Sequence, residues 1–112
     1  MRRALTMTVV AALGCGLGLD AAARGNVQAG KAKAAQVCAA CHGPDGNKPS
    51  APDQPILAGQ HYDYLVRAMI DYKSGKRKNA IMSGFASTLS RQDIEDLAAF
   101  FAAQKSNLHY QR

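Results

Sequence analysis

Cys38-Ala39-Ala40-Cys41-His42 is the segment that most restricts what this 112-residue chain can become. Two thiols three positions apart, with an imidazole directly behind them, have the spacing through which a polypeptide holds c-type haem. The thiols can add to the two vinyl groups of one macrocycle as thioethers. The histidine is then held beneath the iron as an axial nitrogen ligand. A chain that holds iron in this way is expected to move electrons.

Other uses of these residues are conceivable. A structural Cys38–Cys41 disulfide is compatible with an oxidising compartment. A thioredoxin-like redox pair needs a βαβ setting. The chain after residue 23 has few β-branched residues and no stretch of clean alternation, so that setting is missing. A structural zinc site needs four ligands. Beyond Cys38, Cys41 and His42, the same stretch adds only His61 and His109, with no second ligand pair.

The N-terminus points to export. Arg2 and Arg3 form a positive start, Ala4 to Leu19 is apolar and rich in Gly and Ala, and Ala21-Ala22-Ala23 offers small residues for cleavage. Residues 1–23 are read as a secretory signal peptide and 24–112 as one monohaem domain. The apolar stretch of sixteen residues is shorter than the ~20 that span a bilayer, so the mature form is not expected to cross a membrane. The surroundings of Arg2-Arg3 fit a twin-arginine signal poorly, and Ala12-Leu13-Gly14 is a poor lipoprotein box ahead of Cys15. The expected location is the periplasm.

The mature stretch carries twelve Lys and Arg against seven Asp and Glu, a charge of +5. The cations are densest at Lys73, Lys76, Arg77 and Lys78. They can be a solvated helix end complementing its dipole, or a patch that steers the chain toward an acidic redox partner. Nucleic acid is an unsuitable partner for an exported chain without an aromatic platform or binding motif.

The expected fold class is all-α, with three main helices and loops wrapped around one covalent haem. A first helix is predicted over about 26–38, with Asn26 as cap and Val27, Ala34 and Val37 or Cys38 on one side. A second is predicted over about 60–73. Tyr62, Leu65, Val66, Met69 and Tyr72 recur there at helical spacing, and Gly75 is suited to ending it. A third begins at Ser90, where Ser90-Arg91-Gln92-Asp93 is a capping-box variant ahead of Ile94, Leu97, Ala98 and Phe101. Residues 43–59 read as a long irregular loop, which a compact domain keeps when it wraps something. Residues 78–88 read as a connecting segment between the second and third helices.

The stretches Gly30-Lys31, Cys38 through Asn47, Pro55 through Gln60, Tyr72 through Arg77, Met82 and Leu89 through Ala102 together resemble a class I cytochrome c. Within that class the chain is similar to the small bacterial periplasmic cytochromes c553 and to one half of a dihaem cytochrome c4. Phe100 stands where that group often has tyrosine. The resemblance implies that the first and last helices cross with Gly30 against Phe100. It also implies that the Pro55 carbonyl accepts the Nδ1–H of His42, a bond that orients an axial ligand.

Two methionines follow residue 23. Met69 fits the apolar pattern of the second helix as core filler. Met82 lies on a segment free to cap the other haem face, and it matches the methionine ligand of the family. His61 and His109 are its rivals. With iron bound by His42 and Met82, no coordination site stays open, so the chain is expected to be an electron carrier and not an enzyme. The implied cofactor is a single covalent haem c. The implied partners are redox proteins such as a cytochrome bc complex, a terminal oxidase or a dehydrogenase, with acidic docking surfaces. Two alternatives stay open: a haem c subunit of a dehydrogenase or oxidase complex, and a five-coordinate haem enzyme or a gas- or peroxide-binding protein.

A domain of 89 residues has a marginal core of its own, so a covalent haem would serve as its staple. The double variant Cys38→Ala, Cys41→Ala is therefore expected to be largely unfolded by far-ultraviolet circular dichroism. Native helicity without haem would contradict this.

Overall fold

The computed structural model describes residues 24–106. The expected signal peptide, with Cys15, and the rival ligand His109 lie outside the described residues. Among the described residues the regular structure is entirely helical: α1 (Val27–Val37), α2 (Ala39–His42), α3 (Tyr62–Ser74), α4 (Ala80–Ser87) and α5 (Arg91–Ala102). The three long helices are those expected from the apolar periodicity, each within about two residues of its predicted start.

Helix α1 crosses α5 at Gly30. A Cβ on Gly30 would lie 2.0 Å from the Asp96 carbonyl oxygen and 2.8 Å from the Phe100 Cβ. Two backbones approach this closely only where one side lacks a side chain. Polar contacts hold the crossing in place. The Asn26 side chain accepts from the Ala29 N–H, capping α1. The Asn26 N–H in turn donates to the buried Asp96 carboxylate at 2.6 Å, which Gln92 Nε2 also reaches at 2.8 Å. A carboxylate at this end complements the positive pole of α1. Val27, expected on the inner side, is 40% exposed. The chain already meets α5 at this point, but through Gly25, which packs on the Glu95 backbone, and through Asn26, so Val27 is left at the rim.

Ser90 and Asp93 form the full capping box. The Asp93 N–H donates to Ser90 Oγ at 3.0 Å, and the Ser90 N–H donates to Asp93 Oδ2 at 2.9 Å. Lys33 on α1 reaches the same carboxylate at 3.3 Å. Behind the box, Ile94, Leu97, Ala98 and Phe101 are all buried, as the periodicity predicts. They form the core with Ala34, Leu65, Leu89 and Phe100.

Residues 78–88 differ from expectation. The connecting segment contains a two-turn helix, α4, whose N-cap is Asn79. Its side chain accepts from the Met82 N–H at 3.0 Å. The helix is short and contains Gly84; Ile81, Met82, Phe85 and Ala86 recur at helical spacing on one side, but of these only Ala86 is buried. The cap residue Asn79 is the signal that could have located it. At its other end, Lys73 on α3 donates to the carbonyls of Ser87 and Leu89, tying the last turn of α4 to α3. Helix α3 itself ends at Gly75, whose φ of +79° is the left-handed conformation glycine adopts without strain.

Two outcomes are expected. Alanine normally stabilises a helix interior by about 1 kcal/mol over glycine. At Gly30 the new Cβ meets backbone, so Gly30→Ala should lose roughly 2 kcal/mol or more on urea unfolding; a raised midpoint would contradict the close crossing. For Asp93, the Ser90 backbone N–H, aided by the Ser90 hydroxyl and Lys33, holds the carboxyl below its ordinary range. A depressed folded-state pKa gives stability that is present above the unfolded value, about 3.9, and is lost as pH falls through the folded one. Asp93→Asn should thus cost up to about 1 kcal/mol at pH 7 and less at pH 3. An equal cost at both pH values would refute the depression.

Candidate haem site

A cavity opens between α3, α4 and α5 and is closed on one side by α2 and the 43–59 loop. Cys38, Cys41, His42, Pro55 and Met82, the five residues singled out from the sequence, all line it. His61 does not; it stands exposed at the head of α3.

The motif folds back on itself directly after α1. Cys38 ends α1, and its carbonyl accepts from the N–H groups of Cys41 and His42 at 3.2 and 3.0 Å. The single turn α2 therefore puts both sulfurs and the imidazole on one wall. No disulfide joins Cys38 to Cys41. Burial, with a smaller contribution from Cys41, pushes the Cys38 thiol up to about 11. Among the described residues, no three His, Cys, Asp or Glu side chains gather to hold a metal ion.

His42 is 5% exposed. Its Nδ1 lies 2.9 Å from the Pro55 carbonyl oxygen, so Nδ1–H donates there and Nε2 is the nitrogen available to a metal. The loop brings Pro55 back across thirteen positions by its own hydrogen bonds. The Ser50 N–H donates to the Cys41 carbonyl, and the N–H groups of Leu57 and Ala58 donate to the Gly46 carbonyl. The Gly59 N–H then donates to the Phe101 carbonyl at 2.9 Å, which pins the end of the loop to α5.

The walls of the cavity fit a large flat apolar group. Leu65, Met69, Leu89, Leu97 and Phe101 line it from the core side. Ile81 and Phe85, one turn apart on α4, also line it, yet they are 67% and 43% exposed. Large apolar side chains that face an open cavity from a well-packed scaffold are complementary to an apolar occupant. Both methionines reach the cavity. Met69 packs against the hydrophobic core, whereas Met82 lies outside that cluster on the first turn of α4.

The same fold is found among known proteins. Residues 25–101 match the family model described as cytochrome C oxidase, cbb3-type, subunit III. The chain is 54% identical over 86 residues to cytochrome c4 of Pseudomonas aeruginosa, an alignment covering 77% of this chain and 42% of that protein. It is 40% identical over 84 residues to cytochrome c-554(548) of Halomonas halodenitrificans, covering 72% of this chain and 99% of that one. The crystal structure of reduced recombinant cytochrome c4 from Pseudomonas stutzeri superposes with a TM-score of 0.69 at 44% identity, over 77% of this chain and 49% of that chain. This chain thus spans less than half the length of the cytochrome c4 relatives it matches and almost all of the smaller c-554(548). By its fold, its cysteine–histidine motif and these matches, the chain belongs to the cytochrome c family, whose members carry covalently bound haem c.

Proposed function

We propose that this chain is a periplasmic electron carrier with one covalent haem c, tethered by Cys38 and Cys41 and ligated by His42 and Met82. The observation that carries the reading is the convergence of these four side chains on one apolar-walled cavity. When bound, the haem supplies a reversible ferrous–ferric couple.

The chain's own residues do the rest. The Pro55 carbonyl fixes the His42 ring through Nδ1 and makes Nε2 the better donor. Asn79 caps the turn that bears Met82, and Lys73 anchors the far end of the same helix. A ligand held at both ends of its helix keeps its place in both oxidation states. Met69 is taken as wall and core, because it already packs against the cluster that α5 buries. The apolar walls keep water from the metal. The exposed cations Lys73, Lys76 and Lys78 sit beside this cavity in sequence and favour partners with acidic surfaces. The positively charged, apolar N-terminal stretch supports export to the periplasm.

Near-infrared and carbon monoxide titrations test the ligand set. The oxidised wild-type protein should show the weak sulfur-to-iron band, and its ferrous form should ignore carbon monoxide. Met82→Ala should abolish the band and open the ferrous iron to carbon monoxide, while Met69→Leu keeps both wild-type properties. A band that survives in Met82→Ala, or a wild-type protein that binds carbon monoxide readily, would overturn the assignment.

A further inference from the structure

Pro49, Pro52 and Pro55 stand three positions apart in the loop, so this stretch lacks three backbone donors. Backbone bonds fix the chain at Ser50, whose N–H donates to the Cys41 carbonyl, and again at Leu57, whose N–H donates to the Gly46 carbonyl. Between them the Gln54 N–H donates to the Ala51 carbonyl at 3.1 Å, closing a turn with Pro52 at its second position. A side chain does the rest. Gln54 Oε1 accepts from the Ser50 N–H at 2.9 Å, the Ser50 hydroxyl at 2.8 Å and the Ala51 N–H at 3.0 Å.

An amide oxygen offers two lone pairs, and three donors commit this one fully. It takes bonds that a helix or a ladder would otherwise supply to the backbone. The Ser50 N–H is shared between Gln54 Oε1 and the Cys41 carbonyl. Gln54 is thereby joined through Ser50 to the cysteine–histidine motif on one side, and through its own peptide bond to Pro55 on the other. The Pro55 carbonyl is the group that holds the His42 ring, 2.9 Å from Nδ1.

Resting on the haem reading above, we propose that Gln54 is a positioning residue for the axial histidine: its amide oxygen clamps the 50–54 turn and so sets the Pro55 carbonyl against His42 Nδ1. A firm bond at Nδ1 raises the basicity of Nε2, favours ferric iron and lowers the reduction potential. A loosened turn does the opposite.

Nitrogen-15 NMR of the ferrous holoprotein tests this through the solvent-exchange rate of the His42 Nδ1–H, with the midpoint potential measured on the same samples. Gln54→Leu keeps the charge and offers no acceptor. It should speed the exchange by roughly threefold to tenfold, as expected for weakening one hydrogen bond, and should raise the potential. Ser50→Ala removes one of the three bonds and should give a smaller acceleration. Gln54→Glu keeps an acceptor for all three donors and should keep the slow exchange. Asp53→Asn changes a charge on the same turn without touching the clamp and should also keep it. If Gln54→Leu does not accumulate as folded holoprotein, Ser50→Ala and Gln54→Glu carry the test. Exchange at the wild-type rate in Gln54→Leu and Ser50→Ala, or an equal acceleration in Gln54→Glu or Asp53→Asn, overturns the proposal. Wild-type protein without a haem absorption spectrum would instead overturn the parent reading, so the two failures are distinguishable.

Discussion

An apolar space that the chain's own side chains line but do not fill is the constraint on which this fold depends. Among the described residues, Ile94 and Leu97 are the largest side chains that are less than 2% exposed. A domain this size buries a modest share of its surface. Much of the apolar surface it does possess, from Leu65 to Phe101, is turned toward the cavity. Each helix contributes one wall or one fastening. The α1–α5 crossing holds the first and last helices together, α2 presents the thiols and imidazole, and α3 with α4 forms the opposite lining.

The polar bonds sort into those that close the scaffold and those that aim side chains. Asp96 and Asp93 belong to the first group: Asp96 takes the N–H of Asn26 at the start of α1, and Asp93, besides closing the box with Ser90, pairs with Lys33 of α1. The bond from His42 to Pro55 belongs to the second, and so does the Asn79 cap. These aiming contacts surround the cavity, where small displacements would change how a metal or a macrocycle is held. The 43–59 loop links the groups. It is irregular because it must return Pro55 to His42, and its backbone bonds make that return definite.

Much of this was legible in the residues. The motif at 38–42, the stripe behind Ser90 and the glycine at 75 carry local physics that tertiary packing reinforces. Helix α4 was missed because eight residues carry only two repeats of its apolar pair, Ile81-Met82 and Phe85-Ala86, on either side of Gly84, and its ends are fixed by Asn79 and Lys73. Val27 was misplaced because α5 is met at this end by Gly25 and Asn26, a polar and backbone contact that apolar periodicity does not register. The basic run at 73–78 looked uniform in sequence. The fold separates it into Lys73 on the α4 carbonyls, Arg77 on the cavity wall, and Lys76 and Lys78 outside it. That division depends on the turn after Gly75, which no charge count records.

The most direct measurement of the central claim is a pyridine haemochrome spectrum combined with the intact mass of protein matured in a host competent to attach haem. The account predicts one haem per chain, resistant to acid-acetone extraction, and a mass equal to the mature polypeptide plus one haem. A colourless protein whose mass is that of the polypeptide alone would contradict it.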